Sequence, residues 1–238
     1  MTLRDYRILT FDVVGTLIDF EAGIAQYFRA IAKGAGLTLD DEKILSSYGK
    51  AEDAEHKRTP GLAFPVMLAP IYLALAKEFG LPADRKHIEG LRLSIPSWPA
   101  FPDSIEALKR LRRHFRLVAM TNSDNWALDN FVRTLDDPFD DTVTAEDVGT
   151  CKPDPQFFAY ARGRQSPLGY MMKDYLHVAQ SQYHDIGVAK ALGYSTCWIE
   201  RRKGKKGTGG TPAPATVTKS DYHFASLGEL ADAVDGKG

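Results

Sequence analysis

The sequence predicts an α/β protein in which a doubly wound parallel sheet carries an inserted, all-helical cap domain. A short apolar strand pattern, Tyr6–Phe11, opens the chain, and residues 20–99 then show only helical periodicity. From residue 100 onward, strand and helix patterns alternate, as they do in parallel sheets. We therefore assign residues 1–19 and 100–238 to the core domain and residues 20–99 to the cap.

Each element follows from a local pattern. Four cap helices are expected to begin near Ile24, Asp40, Phe64 and Asp84, and each ends at a helix-breaking glycine or proline. Asp103 is expected to cap the first helix of the second core segment. The remaining strands are predicted at Phe115–Met120, Thr142–Ala145, Tyr175–Ala179, Ser195–Ile199 and Tyr222–Phe224. The Gly/Pro/Thr-rich stretch Lys203–Val217 is expected to be a solvated, mobile loop.

Composition narrows the classes of partner. With a formal net charge of −1 and no aromatics among the basic residues 201–206, nothing favours binding to nucleic acid or an anionic membrane. No apolar run approaches the roughly 20 residues of a membrane span. The N-terminus leads directly into a strand, which leaves no room for a signal peptide, and two cysteines, Cys151 and Cys197, lack metal-type spacing. A reduced, cytoplasmic protein is expected.

Polar side chains follow four of the predicted strands. Ligands of open α/β sheets bind at the carboxyl ends of the strands, so these residues are expected to converge. Asp12 is the candidate covalent nucleophile among them, although an isolated Asp-x-x-Gly-Thr is equally compatible with a carboxylate that only caps a turn. The four groups, in chain order, are Asp12, Thr121-Asn122, Lys152 and Ser181 to Asp185.

Four motifs in this order resemble those of the haloacid dehalogenase superfamily. They are Phe11–Asp19, Met120–Ser123, Cys151–Pro155 and Val178–Asp185. The resemblance covers residues 4–19 and 100–200, whereas the cap agrees only in position and helicity. It implies a Rossmann-like core and a hydrolase.

The resemblance also implies roles for individual residues. Asp12 would attack an electrophilic carbon or phosphorus and form an ester, while Lys152 holds the Asp12 carboxylate charged. Asp185 would either hydrogen-bond Lys152 or activate the hydrolytic water. Thr16, with Thr121 and Asn122, would bind an oxyanion or a substrate carboxylate. The residues expected to contact a small carboxylate-containing substrate are Val14, Thr121, Asn122, Ser181, Tyr183 and Trp126.

Two departures from the superfamily pattern bear on the reaction. Phosphatases that resemble this chain carry an acidic group where it has Val14, and usually another where it has Gln180, which helps to bind Mg²⁺. Losing both favours a metal-free enzyme similar to the 2-haloacid dehalogenases, with no cofactor. A Mg²⁺-dependent phosphatase of a small metabolite is the first alternative. A non-catalytic binding protein is the second, disfavoured because an unused buried pair of Asp12 and Lys152 is costly to keep.

The leaving group stays open at this point. Dehalogenases supply a halide-binding arginine from the start of the cap, but the only arginine between Glu21 and Lys57 is Arg29, in the middle of the first cap helix. A dehalogenase-like member of the superfamily instead opens the ring of L-azetidine-2-carboxylate, whose departing amine needs a proton. Candidate acids are His56, His184, Glu52, Asp53 and Glu55. Dimerisation is compatible with the resemblance, although no pattern identifies an interface.

Overall fold

Six parallel strands form the centre of the computed structural model, which describes residues 2–205 and 207–237. The strands are β1 (Ile8–Phe11), β2 (Arg116–Thr121), β3 (Asp141–Thr144), β4 (Tyr175–Ala179), β5 (Ser195–Ile199) and β6 (Tyr222–Phe224), in the spatial order β3-β2-β1-β4-β5-β6. The chain thus starts in the middle of the sheet and winds outward in both directions. This order confirms the predicted doubly wound architecture and brings the ends of β1, β2 and β4 side by side.

Helices cover the sheet and supply the insertion. Those of the insertion are α1 (Phe20–Gly34), α2 (Asp41–Arg58), α3 (Phe64–Phe79) and α4 (Arg85–Leu93). Those of the second core segment are α5 (Ser104–Leu111), α6 (Asn125–Thr134), α7 (Ala145–Val148), α8 (Pro155–Gln165), α9 (Gly187–Ala191) and α10 (Leu227–Asp235). A π-helical turn, Gln182–Ile186, leads into α9. Residues 20–99 are described throughout and contain no strand, as predicted.

The insertion leaves and rejoins the core through two linkers that pair with each other. Phe101 donates its backbone N–H to the carbonyl of Leu17 (3.0 Å), and Asp19 donates to the carbonyl of Pro99 (2.8 Å). Between these bonds, Ile18 and Ala100 form an antiparallel bridge. The helical block is therefore anchored at one narrow, hydrogen-bonded point.

Two expectations for the core need correction. The Asp103 side chain makes no capping hydrogen bond, because its carboxylate instead binds the Arg201 guanidinium (2.7 Å) and accepts the N–H of Gly228 (2.9 Å). The stretch 203–217 is only partly solvated: Gly210 and Pro212 are buried. A loop rich in small residues can approach helices closely, and this one does.

Contacts to the cap hold that loop in place. Gly210 donates its N–H to Glu21 of α1 (2.9 Å), and the Arg202 guanidinium binds the other oxygen of the same carboxylate (2.5 Å). A Cβ on Gly210 would lie only 2.8 Å from the Phe20 ring, so the close approach requires glycine. Lys206 lies outside the described residues. The described part of the loop therefore joins the core to the insertion.

None of the helices within residues 2–205 and 207–237 combines the length and the apolar character needed to cross a membrane.

Candidate active site

Asp12 stands immediately after β1 and is held in place by the turn that follows. Gly15, with a φ of +90°, lets the chain reverse so that Thr16 comes back to the carboxylate. The Thr16 hydroxyl donates to Asp12 Oδ2 (2.6 Å) and accepts the backbone N–H of Gln180 (2.8 Å). Thr16 is fully buried and does not line the cavity, where it was expected to help bind an oxyanion or a carboxylate. Its contacts make it a residue that positions Asp12.

Lys152 lies between two carboxylates. Its ammonium donates to Asp12 Oδ1 (3.0 Å), to Asp185 Oδ1 (2.6 Å) and to the backbone carbonyl of Met120 (2.8 Å). These bonds use all three of its N–H donors, and the side chain is only 1% exposed. The hydrogen bond expected between Asp185 and Lys152 is therefore present. The buried Lys152 ammonium therefore pairs with two buried carboxylates, those of Asp12 and Asp185.

A buried hydrogen-bonded chain continues from Asp185 to side chains of β4 and β1. Asp185 Oδ1 also contacts His177 Nε2 (3.0 Å), and His177 Nδ1 contacts the Thr10 hydroxyl (2.9 Å). Because a carboxylate only accepts, His177 Nε2 is the donor in the contact with Asp185. His177 lies inside β4, where the sequence showed only a strand residue. Its position opposite Thr10 of β1 in the parallel register explains why it reaches this chain.

The buried charges shift one another's pKa values. Burial raises the pKa of Asp12; the Lys152 charge opposes this effect and the Asp185 charge adds to it. Burial works against the Lys152 ammonium, but the two carboxylates outweigh it and raise the Lys152 pKa. Burial likewise opposes ionisation of Asp185, yet Lys152 and His177 lower the Asp185 pKa to about 2. Lys152 and Asp185 therefore both stay ionised and form an ion pair. The ionisation of Asp12, in contrast, depends on the balance between its burial and the two neighbouring charges.

Asn122 and Thr121 lie at the end of β2, next to the buried charges. The Asn122 amide donates to the carbonyl of Lys152 (2.9 Å) and accepts the Lys152 N–H (2.7 Å), so it fixes the backbone that carries the lysine. The Thr121 hydroxyl donates to Ser123 Oγ (3.1 Å). Ser123 is fully buried, and the sequence analysis named it only as the last residue of the motif Met120–Ser123, without a role of its own.

These residues surround a cavity of about 50 Å³ between the core and the insertion. The expected site residues that line it are Asp12, Val14, Thr121, Asn122, Lys152, Ser181 and Asp185. Further walls that the sequence did not indicate come from Phe20, Phe64, Ser123 and Thr211. Glu52, His56 and His184, named above only as candidate acids, also line it. The cavity is small, and the charged groups of its floor, Asp12, Lys152 and Asp185, are paired with one another.

Two expected contact residues lie elsewhere. Trp126 is exposed on α6, where its ring packs under the Arg92 guanidinium at 4.4 Å, because α6 turns this face away from the cavity. Tyr183 packs edge-on against His184, with ring centroids 4.8 Å apart, and does not line the cavity. Arg29 also stays outside and binds Asp41. Among the described residues, no arginine lines the cavity.

The donor set does not fit a Mg²⁺ ion. Asp12 and Asp185 are each bound to Lys152, and the positions at which further carboxylates would be needed hold Val14 and Gln180. Within residues 2–205 and 207–237, no group of three or more His, Cys, Asp or Glu side chains is placed to hold a metal.

The fold and the cavity define a doubly wound α/β protein with a buried Asp–Lys–Asp cluster beneath a helical insertion. Residues 6–193 match the family of haloacid dehalogenase-like hydrolases. The chain belongs to this family and is an enzyme of the hydrolase class.

Several relatives are named for the branch that the motifs indicated. An (S)-2-haloacid dehalogenase 4A from Burkholderia cepacia is 25% identical over 232 residues, which cover 94% of this chain and 93% of that protein. The structure of an L-2-haloacid dehalogenase from Xanthobacter autotrophicus is similar with a TM-score of 0.76 at 19% identity, over 98% of this chain and 100% of that one. A putative HAD-hydrolase from Bacillus subtilis, bound to magnesium, gives a TM-score of 0.76 at 22% identity, over 97% and 99%. The two structures establish the fold alone.

Proposed function

We propose that this hydrolase uses Asp12 to displace a leaving group from a carbon next to a carboxylate, without a metal. Asp12 Oδ1 or Oδ2 forms a bond to that carbon, and the bond from the carbon to its heteroatom breaks, with the electron pair leaving on the heteroatom. The product of this step is an alkyl ester of Asp12. The observation that carries the proposal is the contact of Lys152 with both Asp12 and Asp185, in a cavity flanked by Val14 and Gln180.

Water then hydrolyses the ester. Attack on the ester carbonyl releases a 2-hydroxy acid and restores the Asp12 carboxylate, which Lys152 stabilises through its charge. Asp185 Oδ2 is buried and has no hydrogen-bond partner among the described residues, which makes it the available acceptor for that water. The hydroxyl groups of Thr121 and Ser123 lie on the same floor and would hold the substrate carboxylate.

Two substrate types fit this reaction, a 2-haloacid and the cyclic amino acid L-azetidine-2-carboxylate. The relatives named as (S)-2-haloacid dehalogenases support the first. The absence of an arginine from the described lining supports the second, because a departing halide would meet no free cation. Either route requires the same ester on Asp12.

The test is a single turnover in ¹⁸O-labelled water, with enzyme in excess over 2-chloropropionate or L-azetidine-2-carboxylate, in the presence of EDTA. The proposal expects an unlabelled 2-hydroxy acid, since its hydroxyl oxygen comes from Asp12, and ¹⁸O in the peptide that contains Asp12. Asp12→Asn should abolish turnover. Label in the product hydroxyl would mean that water attacks carbon directly and would overturn the ester mechanism.

A parallel assay with p-nitrophenyl phosphate examines the phosphatase alternative. Phosphate release that depends on added Mg²⁺, without turnover of either carboxylate substrate, would replace the proposal. Halide or ring-opened product that forms at the same rate with and without EDTA would support it.

A further inference from the structure

One face of α2 points acidic and basic side chains toward the cavity. Tyr48, Glu52 and His56 recur every four residues along this helix and therefore lie on one side of it. Tyr48 is fully buried, Glu52 is 6% exposed, and Glu52 and His56 both line the cavity. Asp12 lines the same space from the core. Glu52 thus faces the reaction space from the insertion while the nucleophile faces it from the sheet.

Glu52 has no partner of opposite charge. Within residues 2–205 and 207–237, no group forms a hydrogen bond or ion pair with its carboxyl group. The two other acids of this helix segment are paired on the outside, Asp53 with Lys57 (2.6 Å) and Glu55 with Arg58 (2.5 Å). Burial, with a smaller effect from Asp53, raises the pKa of Glu52 to about 8. An unpaired buried acid is costly to a fold, so it indicates a ligand group that pairs with it.

The surroundings of Glu52 are short of positive charge. His56 and His184 pack with ring centroids 5.0 Å apart. Burial lowers the pKa of both imidazoles, that of His184 to about 3, so both are neutral at pH 7. The one lysine that lines the described cavity, Lys152, has its donors committed to the core. A leaving anion would therefore find no free cation on this side, whereas a cation would find Glu52.

We propose that Glu52 binds the nitrogen of an amine leaving group, so that the substrate is a 2-amino or cyclic 2-imino acid whose carbon–nitrogen bond is broken. This inference rests on the function proposed above and adds the leaving group and the residue that selects it. Displacement at carbon places the leaving group opposite the nucleophile. With Asp12 in the core, that position is on the side of the insertion, where Glu52 lies.

The proton count follows from the groups present. In the complex, the pair formed by Glu52 and the substrate nitrogen carries one proton in addition to those of an ionised carboxylate and a neutral amine. When Asp12 attacks, the carbon–nitrogen bond breaks, its electron pair stays on nitrogen, and that proton leaves with the amine. Hydrolysis of the Asp12 ester consumes one water, and the proton released as Asp12 returns to its carboxylate form restores the count. For a cyclic substrate the sum is substrate plus water, giving an amino-substituted 2-hydroxy acid; for an open-chain 2-amino acid it gives a 2-hydroxy acid and the free amine.

Binding should therefore release a proton. At pH 7 Glu52 is mostly protonated, and an alkyl amine in water is protonated as well, since its pKa lies near that of a lysine, about 10.4. The complex needs only one of these two protons. Other titratable groups around Glu52 do not exchange protons near this pH: burial raises the Tyr48 pKa well above its usual 10.0, and both histidines are neutral. Asp53 lies on the same helix, and Asp12, Lys152 and Asp185 lie across the cavity.

The experiment measures this proton directly. Full-length Asp12→Asn, which binds without turnover, is titrated with L-azetidine-2-carboxylate by calorimetry at pH 7, in buffers of different ionisation enthalpy. We expect release of roughly one proton per ligand bound. The same variant with Glu52→Gln should release none, and 2-chloropropionate should release none from either. The matched control is Glu55→Gln, which removes a carboxylate of α2 that is bound to Arg58 outside the cavity and should behave as its parent.

Turnover gives the second readout. Glu52→Gln with Asp12 intact should lower kcat/KM for L-azetidine-2-carboxylate by about 30-fold or more, the loss expected when one partner of a buried charge pair is removed. Hydrolysis of 2-chloropropionate, if present, should change far less. Binding without proton release, or equal loss on both substrates, would overturn the inference while leaving the Asp12 ester intact. Proton release without any ester on Asp12 would instead overturn the proposed function alone. If Glu52→Gln fails to fold, the Asp12→Asn titration still decides.

Discussion

Replacing Lys152 with methionine tests the electrostatics of the buried cluster. Methionine keeps most of the length of the side chain and removes its charge, so Asp12 and Asp185 are left facing each other without a cation. Both carboxylates are nearly fully buried, and only Thr16 and His177 continue to donate to them. Two carboxylates in one site cannot both stay ionised at low cost, and one of them should take up a proton near neutral pH.

The magnitude can be worked from the geometry. At 3.0 Å, the distance from Lys152 Nζ to Asp12 Oδ1, the attraction of two unit charges is about 5.5 kcal/mol in a medium with an effective dielectric constant near 20. Removing one partner of a buried pair typically destabilises a protein by about 3–5 kcal/mol. We expect Lys152→Met to lower the free energy of unfolding at pH 7.5 by an amount within that range. Turnover should be lost, because a protonated Asp12 is a poor nucleophile.

The sign of the pH dependence makes the test specific. In Lys152→Met, the pKa values of both carboxyl groups are raised in the folded protein relative to the unfolded chain. Protons then bind more tightly to the native state, so the stability of the variant should increase as the pH is lowered from 8 to 5. Wild type should gain less, because there Lys152 holds Asp185 ionised with a pKa of about 2, and the gain that comes from the raised pKa of Glu52 is common to both proteins.

Urea denaturation of both proteins at pH 5 and pH 8 measures the effect. Lys190→Met is the matched control, since Lys190 binds Asp221 on the surface, and such a pair contributes at most about 1 kcal/mol. A Lys152→Met protein as stable as wild type at pH 8 would refute the assignment of a lasting buried ion pair. A large loss that is the same at pH 5 and pH 8 would show that packing, not charge, was removed.

Three further results are expected. Thr16→Val removes the hydroxyl that donates to Asp12 and should lower kcat by about 10- to 100-fold in steady-state assays while the circular dichroism spectrum stays native, since a hydrogen bond to a charged group contributes about 1.5–3 kcal/mol. Because burial raises the pKa of Asp12 above the usual 3.8, the acid limb of the kcat/KM profile should lie above pH 3.8; a limb below that value would contradict the raised pKa. Gly23→Ala would overlap the Trp98 indole and should cost about 1–3 kcal/mol in thermal unfolding, whereas Gly34→Ala on the same helix meets nothing within 4 Å and should be neutral or stabilising.

The part of the site built by strand ends was predictable from the sequence. A parallel sheet brings the carboxyl ends of its strands to one edge, so an Asp after β1 and an Asp shortly after β4 must be neighbours once the strands are recognised. Lys152 follows from the resemblance of its motif and does lie between them. The alternation of patterns also fixed the sheet and the helical insertion, because both depend on periodicity and not on particular contacts.

The remaining walls depend on packing between distant segments, which periodicity does not encode. Thr211 reaches the cavity only because small residues let its loop approach the insertion. Trp126 and Tyr183 were expected in the pocket as aromatic side chains available to line it, but the direction in which a helical side chain points depends on a few residues of phase. Glu52 was one acid among several until burial and the lack of a partner distinguished it.

The paired linkers bear on how such enzymes diversify. Because the chain leaves the sheet at Leu17–Asp19 and returns at Pro99–Phe101 through residues hydrogen-bonded to each other, the intervening helices are equivalent, in chain connectivity, to one long surface loop. Loop-closure entropy grows only slowly with length, so a larger, smaller or unrelated module can be grafted between the same two points at little cost to the sheet. Asp12 and Lys152 would keep their positions on the sheet while every residue that faces them from the insertion is exchanged.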